Sequence, residues 1–202
     1  MGDMTSAAFG AEALRPRKAA KEGLPTIAKT LALSFFDDPV VSWIIPDDPR
    51  RREISPDFFG AIVESYLSND EIYDVDAGVS TAVWAPPRAE DDEQLPERLG
   101  EVAAENAERL FEILGLMDEV HPSDPHYYLF LLGTRSEWQG RGIGSALMRP
   151  VLEICDRERI PAYLEATSER NRALYLRHGF EVTGEIRVPG GPTLWCMWRT
   201  PQ

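Results

Sequence analysis

Cysteine, histidine and positive charge are all scarce in this sequence. Two cysteines and three histidines among 202 residues give no disulfide framework and no metal-ligand spacing. Cys155 falls on an apolar helix stripe and Cys196 in an aromatic strand, where thiols are packed rather than reactive. Lys and Arg number 21 against 34 Asp and Glu, a formal net charge of −13, so the basic footprint of a nucleic-acid binder is missing. No apolar run is long enough to span a bilayer, and the first residues carry no signal-peptide core. The expectation is a cytoplasmic protein with no metal, no nucleic-acid partner and no membrane partner. Internal repeats and low-complexity linkers are absent as well. Residues 1–10, small and polar, read as a disordered tail, and 11–202 as a single domain; monomer and homodimer remain equally open.

An apolar content of 43% suits a sizeable core, and its spacing predicts alternating helices and strands. Ala11–Arg15 could begin a first strand. Leu24, Ile27, Leu31 and Phe35 recur at helical spacing over 24–36, with Pro25 in the first turn. A second helix covers 50–67, and 71–75 with 79–85 form a hairpin about Asp76-Ala77-Gly78. Leu99, Val102, Ala103, Ala107, Leu110, Phe111 and Leu114 read as one long amphipathic helix. Tyr127–Leu132, Ile160–Ala166, Ile186–Val188 and Thr193–Trp198 read as strands. Apolar residues from Ala146 to Cys155 mark a helix opening near Ser145. Glu169–Phe180 is a shorter helix that Gly179 is placed to end.

The most informative segment joins the first of these strands to the helix near Ser145. Gln139, Gly140, Arg141, Gly142, Ile143, Gly144 and Ser145 form a glycine-rich turn. Strand, glycine turn and helix together present backbone N–H groups and a helix N-terminus to phosphate oxygens. The loop is neither G-x-x-x-x-G-K-[ST] nor the dinucleotide G-x-G-x-x-G. Acidic excess is concentrated in 37–48, 57–76 and 90–119, whereas Arg135, Arg141 and Arg149 make the loop's surroundings basic. One strand later, Asn171 and Tyr175 stand four apart, on one helix face.

The pattern Gln-x-x-Gly-x-Gly, followed by Asn171-x-x-x-Tyr175-x-x-x-Gly179-Phe180, resembles the GNAT N-acetyltransferases. Residues 126–133, 163–168 and 190–197 further resemble the puromycin N-acetyltransferase-type branch, with Thr134-Arg135 as a departure from it. The resemblance implies an α/β (α+β) fold, a mixed twisted central sheet flanked by helices, whose splayed strands hold acetyl-CoA. It implies a cosubstrate site along Leu132, Gly133, Thr134, the loop Gln139–Ser145 and Asn171. It also implies acetyl transfer to a primary amine, with a small molecule as acceptor; a peptide acceptor and a non-catalytic CoA-binding relative are the alternatives.

Such chemistry requires a neutral amine, a donor for the tetrahedral oxyanion and a proton for the departing thiolate. Tyr175 is the candidate acid, a phenol that stays protonated at neutral pH. Glu165 is the candidate base, with His126 as a second possibility near the acceptor. An amine entering as its free base would need neither. Phe36, Asp38 and Trp43, aromatic and acidic residues after the first helix, are the remaining candidates for contacting a cationic acceptor. Each has a plain alternative: a core Tyr, a structural Glu, a helix-capping Asp, a core Trp.

Overall fold

The computed structural model describes residues 15–75, 78–90 and 92–202. The expected tail at 1–10, most of the strand anticipated at 11–15, and Asp76-Ala77 of the hairpin turn lie outside the described residues. Among the described residues, seven strands, β1 (Arg17–Lys18), β2 (Ile72–Val75), β3 (Ser80–Ala85), β4 (Tyr127–Thr134), β5 (Ala162–Ala166), β6 (Glu181–Arg187) and β7 (Thr193–Arg199), form one sheet in the order β1-β2-β3-β4-β5-β7-β6. All pairings are antiparallel except β4 with β5. The mixed sheet of the expected fold class is therefore present.

Among the described residues, seven α-helices cover its two faces. On one side lie α1 (Leu24–Ser34), α2 (Pro39–Ile44), α3 (Asp48–Tyr66), α4 (Leu95–Ala103) and α5 (Ala107–Val120). Their apolar stripes, including Ile27, Leu31, Phe59, Val63, Leu99 and Ile113, pack with Val83, Leu131, Tyr163 and Leu194. On the other side, α6 (Ile143–Glu158) and α7 (Glu169–Leu176) bury Leu147, Val151, Cys155 and Tyr175 against Trp84, Leu129, Leu164 and Met197. No helix among the described residues is long and apolar enough to cross a membrane.

The helix starts follow local chemistry. Asp38 and Asp47 accept backbone N–H groups at the N-termini of α2 and α3, each with a proline in the first turn, the position where a missing N–H costs nothing. Ser168 caps α7 by accepting from the Asn171 N–H at 3.2 Å. Differences from the sequence reading also have local causes. The expected helix over 99–114 is broken into α4 and α5, because Ala104 takes a positive φ of 51° between two helices that keep the same apolar periodicity. Helix α2 escaped notice because six residues, Pro39–Ile44, are too few to show a period. Strand β6 begins at Glu181 rather than Ile186, since its outward edge face is polar.

Candidate active site

Pairing between β4 and β5 is confined to two rungs, Tyr127↔Ala162 and Tyr128↔Tyr163. Beyond them β4 runs on to Thr134 and β5 to Ala166 without further pairing. The cause lies on the other edge of β4. Val83 faces Leu131 while Trp84 faces Leu129, so Phe130 is an extra residue opposite β3. Such a bulge bends a strand and releases backbone groups from the ladder. The sheet opens at its centre, and the β4 backbone through Leu132, Gly133 and Thr134 has no strand partner on its β5 side, where the Thr134 carbonyl is met by the Gln139 side chain. Unpaired N–H and C=O groups seek partners, which an extended amide-bearing ligand arm or a developing oxyanion would provide.

The glycine loop closes one end of this cleft. Gly140 and Gly142 have φ of 78° and 79°, a conformation that costs other residues. A Cβ on either would meet nothing within 4 Å, so the loop faces open space. Helix α6 begins at Ile143 with Gly142 as its N-cap and no side-chain cap; its first N–H groups point where an anion would gain from the helix dipole. Gln139 serves the loop itself, its side-chain amide donating to the Thr134 carbonyl at 3.0 Å. Arg141 lies 4.7 Å from the Trp138 ring centroid and donates to the Glu137 carbonyl. Arg135, whose basicity departed from the family pattern, is paired with Glu137 at 2.6 Å. The Ser145 hydroxyl lies 2.8 Å from His178 Nε2, beside a cavity of about 460 Å³ that Arg149, Arg177 and Gln202 help line. These residues fit a pyrophosphate-bearing cosubstrate: a cradle of glycines, a free helix N-terminus and basic side chains around them.

Asp38, Thr167, Asn171 and Tyr175 gather where β5 gives way to α7. Asp38 Oδ1 accepts the Val40 and Val41 N–H groups at 2.9 and 3.3 Å, and its Oδ2 accepts the Thr167 hydroxyl at 2.5 Å. Asn171 Nδ2 reaches Thr167 Oγ1 at 3.5 Å. Asp38 therefore holds the α1–α2 corner against the β5–α7 turn, and burial raises its carboxyl above the ordinary value. Tyr175 is buried and packs edge-on against Phe180. Among the described residues its hydroxyl has no hydrogen-bond partner. Burial, and secondarily the charge of Asp38, push its pKa well above that of an ordinary phenol. It keeps its proton.

Glu165 faces the other side of the sheet from Leu164, as the period of two requires. Its side chain is 3% exposed. The Tyr128 hydroxyl donates to Oε2 at 2.7 Å, and Oε1 has no hydrogen bond among the described residues. Burial pushes the carboxyl up to about 7, with the phenols of Tyr128 and Tyr163 pulling partly the other way. A carboxyl poised there can accept a proton at neutral pH.

The remaining candidates are held by other contacts. Trp43 donates from Nε1 to the Gly190 carbonyl at 3.2 Å, tying α2 to the β6–β7 turn. Phe36 lies under the guanidinium groups of Arg51 and Arg52, and its carbonyl accepts from Arg51 Nε. His126 is buried, with Nδ1 2.6 Å from the Asp124 carbonyl and its ring against Tyr163 and Trp198.

The sequence reading missed four neighbours of these groups: Tyr128, Tyr163, Thr167 and His121. Tyr163 was within reach, since the period of two puts it on the face of Glu165. Tyr128 needed the β4–β5 register, and His121 needed the path of the α5–β4 loop; neither leaves a local signal.

Known proteins resemble this chain in sequence and fold. The family model for the acetyltransferase (GNAT) family matches residues 69–180. The chain is 29% identical over 169 residues to an uncharacterised N-acetyltransferase of Schizosaccharomyces pombe, covering 76% of this chain and 68% of that protein. The solved structure of histone acetyltransferase HPA2 and related acetyltransferase from Corynebacterium glutamicum superposes with a TM-score of 0.64 at 27% identity, covering 93% and 96% of the two chains. Arylalkylamine N-acetyltransferase 2 of Aedes aegypti shares the fold at 16% identity, with a TM-score of 0.63 over 93% of this chain and 99% of that one. With the matched segment running from just before β2 to the threshold of β6, across the glycine loop, the split strands and Tyr175, the chain belongs to the acetyltransferase (GNAT) family of enzymes.

Proposed function

We propose that this enzyme transfers an acetyl group from acetyl-CoA, a substrate rather than a resident group, to the primary amine of a small molecule. The observation that carries the reading is the placement of Tyr175 and Glu165 on opposite faces of the sheet, at the point where β4 and β5 separate. An incoming ammonium gives one proton to Glu165. The freed nitrogen attacks the thioester carbonyl; a C–N bond forms and the C–S bond breaks. Tyr175 protonates the departing thiolate and is reprotonated from the second proton of the nitrogen. Each turnover releases one proton. Unpaired β4 amides near the bulge are suited to the oxyanion.

Thiol release in the presence of acetyl-CoA tests the reading, across aminonucleosides such as puromycin, arylalkylamines and diamines, with peptides as the competing class. Release with a small amine supports it. Turnover only with peptides transfers the acceptor to protein, and binding of CoA without thiol release on any amine leaves a non-catalytic relative.

The cosubstrate half has its own test. Coenzyme A should raise the melting temperature by linkage, and Gly144→Asp should remove that protection. A Cβ at Gly144 meets only ordinary contacts with Leu174 and Leu132, and an acidic residue in the first turn suits the unliganded helix. The ligand-free melting temperature should therefore hold while the added charge repels phosphate. Protection that survives in Gly144→Asp would move the phosphate site away from α6.

Asp38 separates anchoring from recognition. Asn can still cap α2, so Asp38→Asn should cost little stability. If the carboxylate meets the acceptor, the acceptor KM rises and that of acetyl-CoA holds. A lower melting temperature with both KM values intact would confine Asp38 to the α1–α2 corner.

A further inference from the structure

The proposed reaction leaves a proton on Glu165 at every cycle, and Glu165 has almost no contact with solvent: its side chain is 3% exposed. The groups facing it are Tyr128 from β4, Tyr163 from β5 itself, Cys196 opposite it on β7, and His121 from the end of α5. Three of these are poor exits. Burial and neighbouring negative charge raise the Tyr128 and Tyr163 hydroxyls far above neutrality, and burial raises the Cys196 thiol. Tyr163 is itself fully buried. All three stay protonated near pH 7.

His121 differs in chemistry and position. Its Nδ1 lies 4.0 Å from Glu165 Oε1, the oxygen without a hydrogen bond among the described residues, and its side chain is 34% exposed. The ring stands edge-on to Tyr128 and Tyr163, at centroid distances of 4.8 and 5.2 Å, and lies 5.0 Å from His126. These contacts hold the imidazole between the buried oxygen and the surface. A small turn of the ring, or one bridging water, spans the 4.0 Å gap. Imidazole is the side chain suited to accept and release a proton around neutral pH.

We propose that His121 is the proton-relay residue of this enzyme, carrying the proton that Glu165 takes from the acceptor amine out to bulk water. The inference rests on the acetyl-transfer reading. In balance, the Glu165 carboxyl loses its proton to the imidazole, the imidazole passes one proton to water or buffer, and the carboxylate is restored for the next ammonium. His121 touches no reacting atom; it resets the group that does.

The test compares His121→Phe, His121→Gln and His121→Ala with the parent enzyme on one turned-over amine. His121→Phe keeps an aromatic ring against Tyr128 and Tyr163 and guards against loss of folding. In all three variants kcat should fall on the order of tenfold, less than the 10²–10⁴ expected for losing the base itself. Both KM values should hold, and kcat should become dependent on buffer concentration. Free imidazole should restore kcat in His121→Ala, where it has room, and not in His121→Phe. Wild-type-like kcat and buffer independence in the variants, with the parent active, would overturn the relay alone. Lower kcat without buffer dependence or imidazole rescue would also overturn it, assigning His121 to packing. A parent enzyme that acetylates no amine would instead remove the proposed reaction, and the relay with it.

Discussion

Tyr175→Phe should lower turnover by roughly 10²–10⁴, the range for removing a positioned general acid, while coenzyme A affinity and melting temperature stay near those of the parent. The separation of effects follows from how the side chain is held. Its ring is buried against Phe180 in the α6–α7 layer, and Phe preserves that packing. Its hydroxyl has no hydrogen-bond partner among the described residues, so removing it strands no donor or acceptor. What disappears is a proton held by a group that burial and the nearby Asp38 keep from ionising. The effect belongs on the chemical step and is best read under single-turnover conditions, where product release does not mask it. Unchanged single-turnover rates would return Tyr175 to the core.

Much of this site could be read before any coordinates because the cosubstrate half is local in sequence. Gly140, Gly142 and the start of α6 are contiguous, and their φ values and helix cap follow from glycine's freedom and a polar turn. Asn171 and Tyr175 share a face by helical period alone. The acceptor half is different in kind. Glu165 meets Tyr128 across 37 residues and His121 across a loop, while Asp38 meets Thr167 across 129. Such contacts depend on strand register, on the Phe130 bulge and on how α1 to α5 fold over one face. Periodicity reports which side a residue faces, not which residue meets it there. The same limit explains Asp38 and Trp43. The sequence offered helix capping beside acceptor contact for Asp38, and Asp38 does cap α2; its grip on Thr167 and the Trp43 bond to Gly190 had no local signal.

Glu165→Gln should make the protein slower and more stable at once, and the pH dependence gives each sign. For activity, only the carboxylate accepts a proton, so kcat/KM of the parent should rise with pH through about 7, where burial places this group. In the variant the rate should fall by roughly 10²–10⁴ and the rise near 7 should vanish. For stability, the folded carboxyl titrates above the ordinary value of 4.5 that an unfolded glutamate shows. Between those two values the folded state holds a proton that the unfolded chain has released. Parent stability therefore falls as pH climbs from about 4.5 to 7 and stays lower above, by about 3 kcal/mol. Gln escapes this cost and can still accept the Tyr128 hydroxyl. At pH 8 the variant should melt roughly 5–10 °C above the parent, with the gap closing near pH 4.5. Gain in stability with loss of rate is the mark of a group kept in an unfavourable place for function. If instead Glu165→Gln melts lower at pH 8, the carboxylate is a structural partner of Tyr128, and the base must be sought in water or in an amine that arrives already neutral.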